Sequence, residues 1–186
     1  MIRTANIKLT GKLVYDEKDR RFSSSELVFA LRRMLESSGF ELIEISNRNK
    51  GVYILNCSRK QRLFTFVCFL KNITGSGWAE KPMIKRIQIP NLRLFEPSLY
   101  IDTTETSTVL ILGYYDHDSN PLFVAWDFYR YTMHKTQRSC YVNIVSMQEA
   151  YKKGLYKTSD SHKNFIWVFL PSRFDEFIFD YIRRNK

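Results

Sequence analysis

Between Arg48 and Arg93 the chain carries ten basic side chains, Arg48, Lys50, Arg59, Lys60, Arg62, Lys71, Lys81, Lys85, Arg86 and Arg93, against one acid, Glu80. That is +9 in a chain whose total is +10, so the remainder is almost neutral. Charge this localised repels itself in a compact state unless an anionic partner or separated surfaces relieve it. Phosphate is the usual partner. Arg59, Lys60 and Arg62 fall in one turn and Lys81 in a later loop, where cations reach phosphates without disturbing a core. Such contacts position a protein on a duplex without reading its sequence. Arg86 and Gln88, next to Lys85, alternate with Ile87 and Ile89, so on a strand they share the face opposite the apolar pair. Arginine pairs with guanine and glutamine with adenine, so these two offer base contacts, although they also suit a plain solvated face. Trp78 lies in Gly75-Ser76-Gly77-Trp78-Ala79. It either stacks on a base or wedges into a duplex, or it folds back as a lid on the core. Arg130, His134, Lys135 and Arg138 share a polar segment with hydroxyls and an amide, a mixture that suits phosphate and equally a solvated loop.

Catalytic candidates are fewer. A metal-dependent nuclease needs convergent carboxylates, often beside a lysine. Asp116, His117 and Asp118 crowd one turn, and Asp127 follows an apolar strand, where a helix cap or ion pair is the ordinary role. Magnesium belongs only to this nuclease alternative; otherwise no metal or cofactor is expected. The three histidines, His117, His134 and His162, lack ligand spacing, and there is no Cys-x-x-Cys pair. Nucleophile-elbow, P-loop and dinucleotide fingerprints are also missing. The order helix, strand, strand, strand over 23–71 is similar to the core of PD-(D/E)XK nucleases. Where that likeness would place acids the chain reads Val52-Tyr53-Ile54 and Cys68-Phe69-Leu70-Lys71, and only Lys71 matches.

The elements that must hold these residues follow from periodicity. A strand is expected over Asn6–Tyr15, with Gly11 as a bulge or turn. Ser23 stands three residues before Glu26, a capping-box spacing. Leu27, Ala30/Leu31 and Met34/Leu35 then recur at helical period up to Gly39. Strands are predicted over Phe40–Ser46, Val52–Cys57 and Leu63–Leu70, the last apolar on both faces and therefore central. A shorter strand spans Ile84–Ile89. Val109–Tyr114 and Leu122–Trp126 are expected as strands joined by the seven residues Tyr115–Pro121. After the polar segment Arg130–Ser139 come a strand at Tyr141–Val145 and a short helix near 147–153, capped by Ser146 and Glu149 and closed by Gly154. A strand at Asn164–Leu170 and a C-terminal helix after Pro171-Ser172 complete the pattern. The class is α+β, a mixed and mostly antiparallel sheet with an N-terminal helix, a short helix and a C-terminal helix. A chain of 186 residues, 44% hydrophobic, suits a single domain over 1–186, with 1–71 and 72–186 as possible parts. Cys57, Cys68 and Cys140 lie in apolar strands and read as buried free thiols, which fits a reducing cytoplasm. No apolar run is long enough for a membrane span, and no secretion signal is evident.

Arg86-Ile87-Gln88, Leu110-Ile111-Leu112-Gly113, Phe123-Val124-Ala125-Trp126-Asp127 with Arg130 beyond it, and Leu170-Pro171-Ser172-Arg173-Phe174 occur in that order. In this succession, over roughly 65–182, the chain resembles a DNA-recognition-type domain fused to HNH and other nucleases in bacterial restriction-type endonucleases. The resemblance implies recognition of double-stranded DNA in restriction or phage defence, beside a separate nuclease or methyltransferase subunit. A small metal-dependent endonuclease and an RNA-binding protein are the alternatives.

Overall fold

Residues Phe66–Leu70 are buried on both faces of their strand, and a strand of that kind needs cover on two sides. A computed structural model, which describes residues 4–16, 18–49, 51–89, 107–133 and 139–185, shows how it is covered. The chain opens with a hairpin, β1 (Thr4–Ile7) and β2 (Leu13–Asp16), then helix α1 (Ser24–Ser37) and strands β3 (Glu41–Asn49), β4 (Val52–Arg59) and β5 (Arg62–Asn72). Next come β6 (Thr74–Gly75), β7 (Ile84–Gln88), β8 (Ser107–His117), β9 (Asn120–Trp126), α2 (Phe128–Met133) and β10 (Ser139–Asn143). Helix α3 (Ile144–Lys153), strands β11 (Leu155–Ser159) and β12 (Phe165–Phe169), a 3-10 turn at Pro171–Arg173 and helix α4 (Phe174–Asn185) finish the described chain.

Seven strands form the main sheet in the order β11-β12-β9-β8-β5-β4-β3, antiparallel except for the central β5–β8 pair. Because β5 pairs with β8, the parts before and after residue 71 share one sheet. On one face Phe66, Cys68, Leu70, Leu112, Phe123 and Phe169 meet α1 and α4. The rings of Phe169 and Phe177 stack there at 4.6 Å. On the other face Val67, Phe69, Ile111, Val124 and Trp126 lie under α2, α3, the β1–β2 hairpin and a three-stranded sheet, β10-β7-β6. Gly113 permits that second layer. A Cβ there would come 2.6 Å from Ile73 Cγ1 and 3.1 Å from Ile87 Cγ2, so any side chain would lift the small sheet off the large one.

Helix α1 begins at the capping box, the Glu26 backbone N–H donating to Ser23 Oγ and the Ser23 backbone N–H to Glu26 Oε2. Other boundaries differ from the expected ones. The segment 6–15 is a hairpin, with Gly11 at φ +79° in its connection. Strands β8 and β9 continue to a two-residue turn, Asp118-Ser119, with both residues at positive φ. This geometry follows the right-handed strand twist and so lets pairing run to His117 and Asn120. Helix α3 is capped by Asn143, whose Oδ1 accepts from the Val145 N–H, and not by Ser146. Glu149 pairs instead with Lys152 and Lys153. Residues Phe128–Met133 form α2, although the stretch from Arg130 was expected as a polar segment without a helix, and Leu155–Ser159 form an edge strand that alternation did not reveal. Among the described residues, no helix is long and apolar enough to cross a membrane.

Candidate nucleic-acid interface

Strand β7 sorts its side chains by alternation, but not by polarity. Lys85 and Ile87 face inward, while Ile84, Arg86 and Gln88 face outward. Register sets Arg86 beside Tyr141 of β10 on one side and Thr74 of β6 on the other. Cross-strand neighbours of this kind project from the same face. The loop between β6 and β7 then closes over that face. Ser76 is buried, its backbone N–H donating to the Ile84 carbonyl at 3.0 Å and its Oγ accepting from the Trp78 N–H at 3.3 Å. Gly77, at φ +83°, makes the bend. Trp78 thereby stacks on Tyr141, with ring centroids 5.2 Å apart and planes 18° apart, and Lys81 Nζ stands 5.0 Å from the indole centroid. The indole keeps 40% of its surface exposed. It is neither a lid on the core nor an isolated tip. Stacked rings of this kind attract by roughly 0.5–1.5 kcal/mol beyond their burial, enough to pre-orient an exposed ring.

Lys85 does not reach that surface. Its ammonium is fully buried and donates to Thr4 Oγ1 at 2.7 Å, Asn6 Oδ1 at 2.8 Å and Asp19 Oδ1 at 2.5 Å. Asp19 Oδ2 accepts from the Gly75 N–H, and Asn6 Oδ1 also accepts from the Tyr115 hydroxyl. Burial pulls the Lys85 ammonium below the ordinary lysine range, and Asp19 opposes that pull. Lys85 therefore bolts the N-terminal hairpin to the small sheet, which removes it from the expected phosphate contacts.

The turn cluster divides. Arg59 donates to Asp175 Oδ2 at 2.7 Å and lies over the rings of Phe40 and Phe179 at 5.2 and 5.3 Å, so it ties β4 to α4. Lys60 and Arg62 are exposed at the tight β4–β5 turn. That turn belongs to the large sheet and Trp78 to the small one. Arg130 is exposed on α2. His134, Lys135 and Arg138 lie outside the described residues.

The acids expected around a metal do not converge. Asp116 faces α1, where Tyr114 donates to its Oδ2 at 3.4 Å. His117 approaches Asp16 at 3.9 Å, and Asp118 Oδ2 accepts from the Leu9 N–H at 3.4 Å. Asp127 is buried and caps α2, accepting from the Tyr129 and Arg130 N–H groups. Lys71 is half-buried beside Gly51, and burial lowers its pKa. Among the described residues, no three His, Cys, Asp or Glu side chains come together in a way that could hold a metal ion.

A cleft of about 700 Å³ opens beside Tyr141, between β10 and the β11–β12 turn, and Tyr131, Asn143, Asp160 and His162 contribute to its wall. Asp160 is already engaged by Tyr131, His162 and Asn164. Burial pushes its pKa up, but those hydrogen bonds more than reverse the effect and hold it low. Tyr141 is the residue that sequence reasoning missed. Its signal was available: Cys140 and Val142 alternate with Ser139, Tyr141 and Asn143, which sets the tyrosine on the outer face.

An α+β domain that displays a stacked aromatic pair among cations on a small accessory sheet is thus the class that fold and surface define. Residues 64–178 match the model of the family described as Methylase-associated X1, MTaX1, and the chain belongs to that family. The family is linked to restriction-modification systems, and the match covers nearly the span over which the restriction-type resemblance was drawn. The match shows the methylase association alone and does not bear on an HNH fusion. No curated protein and no solved structure matches the chain.

Proposed function

We propose that this chain is the DNA-recognition component of a methylase-associated restriction or defence system, binding duplex DNA through the outer face of the three-stranded sheet. The observation that carries the reading is the half-exposed Trp78–Tyr141 stack, with Lys81, Arg86 and Gln88 around it. Cations supply affinity for the phosphates, the ring pair supplies a flat apolar contact, Arg86 supplies paired donors for base edges, and Gln88 supplies a donor beside an acceptor. Lys60, Arg62 and Arg130 are exposed cations that add to the field. Membership of the methylase-associated family supports a methyltransferase-related partner.

Fluorescence anisotropy of a labelled duplex across a salt series tests the proposal. Binding should weaken steeply as salt rises, because cations bound at phosphates release counterions. Lys81→Ala should lower the magnitude of the log–log slope by about one, as loss of a phosphate contact, whereas Arg86→Ala should relax sequence preference. Absence of binding at low ionic strength would refute the reading. Preference for RNA in competition among duplex DNA, single-stranded DNA and RNA would replace it with the RNA-binding alternative.

A further inference from the structure

The cleft of about 700 Å³ beside Tyr141 adjoins the proposed duplex-binding face, yet its wall has a different chemistry. Its size falls within the range of small-molecule sites, about 300–1,000 Å³. On the face outside stand cations, Lys81 at 5.0 Å from the Trp78 ring and Arg86 opposite Tyr141 in the β7–β10 register. Inside, among the described residues, neither lysine nor arginine lines the wall, and Asp160 supplies a carboxylate. Its Oδ2 accepts from the Tyr131 hydroxyl at 2.9 Å and its Oδ1 from the His162 and Asn164 N–H groups at 2.8 and 2.9 Å. Bonds of that kind favour the ionised form. A negative charge so placed repels phosphate. The rest of the wall is neutral. Tyr131, Tyr141 and Ile166 contribute ring and apolar surface, and Asn143, Ser146 and Thr158 contribute groups that can both donate and accept. Thr158 lies opposite Ile166 in the β11–β12 register, so the two side chains share a face.

The division of charge is what identifies the occupant. A pocket that repels phosphate but suits a flat, neutral, hydrogen-bonding group opens next to a surface that attracts phosphate. A nucleotide of a DNA strand meets both demands, with its base inside and its backbone outside. We infer that this cleft receives a single nucleobase turned out of the bound duplex. A base that stays paired and stacked cannot enter, so it must leave the helix, and a mispaired base does so at least cost. Hydroxyl and amide groups adapt to donors and acceptors alike, so the cleft selects a base that unpairs readily over any one base type. The inference rests on the duplex-binding reading above and adds to it that the DNA must open.

Anisotropy titrations with three otherwise identical duplexes test it: one fully paired, one with a single mismatch, and one with both mismatched bases deleted to leave facing abasic sites. The third deforms readily but has no base to offer at that step. The mismatched duplex should bind about tenfold or more tightly than the paired one, because part of the opening cost is already met. The doubly abasic duplex should not share that gain. Thr158→Phe, which fills the cleft, should bring the mismatched duplex back to the affinity of the paired one. Ser146→Phe fills it from α3 and gives the same readout should Thr158→Phe fail to fold, as judged by circular dichroism. An equal gain for the doubly abasic duplex would show that deformability alone is read, and would overturn the inference. So would a mismatch preference that survives filling of the cleft by a folded variant. Binding of the paired duplex with no preference for the mismatch sinks this inference and leaves the duplex-binding reading standing, whereas no binding of any duplex sinks both.

Discussion

Replacing Lys85 by methionine separates a structural bolt from a phosphate contact. The side chain keeps its length, but the buried ammonium and its bonds to Thr4, Asn6 and Asp19 disappear. Asp19, whose side chain is only 6% exposed, is left with the Thr4 and Gly75 donors and no opposing charge. Removing one member of a buried pair costs about 3–5 kcal/mol, because the survivor's charge is uncompensated. For a domain of this size that is a fall in Tm of roughly 6–20 °C. Asp19→Asn should be destabilising through the same loss. Adding it to Lys85→Met should cost less than the two single changes together, by about 0.5–3 kcal/mol of coupling. Circular dichroism melts and urea titrations of the four proteins measure the cycle. Duplex affinity and salt slope should be unchanged for Lys85→Met at a temperature where it remains folded. A Tm within about 2 °C of the parent, with a salt slope reduced by about one, would refute the argument and return Lys85 to the interface.

Trp78→Ala should weaken duplex binding by about 1–3 kcal/mol, the worth of one aromatic stacking contact, with little change in Tm; unchanged anisotropy curves would count against the platform. Asp180 accepts from Lys157, Trp167 Nε1, Arg183 and Arg184. Burial alone would raise its pKa, but the hydrogen bonds from Lys157, Trp167 and Arg183 outweigh it and hold the carboxyl well below the ordinary 3.8. Its folded pKa is depressed, so its stabilisation is complete above the unfolded value and is lost as pH falls from there toward the folded one. Asp180→Asn should therefore flatten the acid limb of stability below about pH 4, read by urea titration at several pH values. Gly113→Ala should cost about 1–3 kcal/mol by pressing on Ile73 and Ile87, measured by thermal melting. Burial pushes the Cys57 thiol up to about 12 and raises Cys68 and Cys140 as well. All three should be inert to a thiol-specific chromogenic reagent until denaturant is added.

What the sequence determined by itself was local. Ser23 and Glu26 lie within one helical turn, so their spacing was enough to predict the cap that starts α1. The apolar run at Phe66–Leu70 required burial on two faces whatever covered it. Alternation likewise set Arg86 and Gln88 outward, because side-chain direction in a strand has period two. The same alternation turned Lys85 inward, and charge alone concealed this. Whether a buried cation is tolerated depends on acceptors at Thr4, Asn6 and Asp19, which are far away in the chain. Arg59 looked like its neighbours Lys60 and Arg62 until α4 brought Asp175 and Phe179 to it. Asp116, His117 and Asp118 are adjacent in sequence, yet pleat and turn send them to different partners, so proximity along the chain did not make a metal site. The pairing of Trp78 with Tyr141 joins residues 63 positions apart through the register of β7 with β10. Only tertiary structure could decide these, because each depends on which distant groups the packed layers bring within hydrogen-bonding or stacking distance.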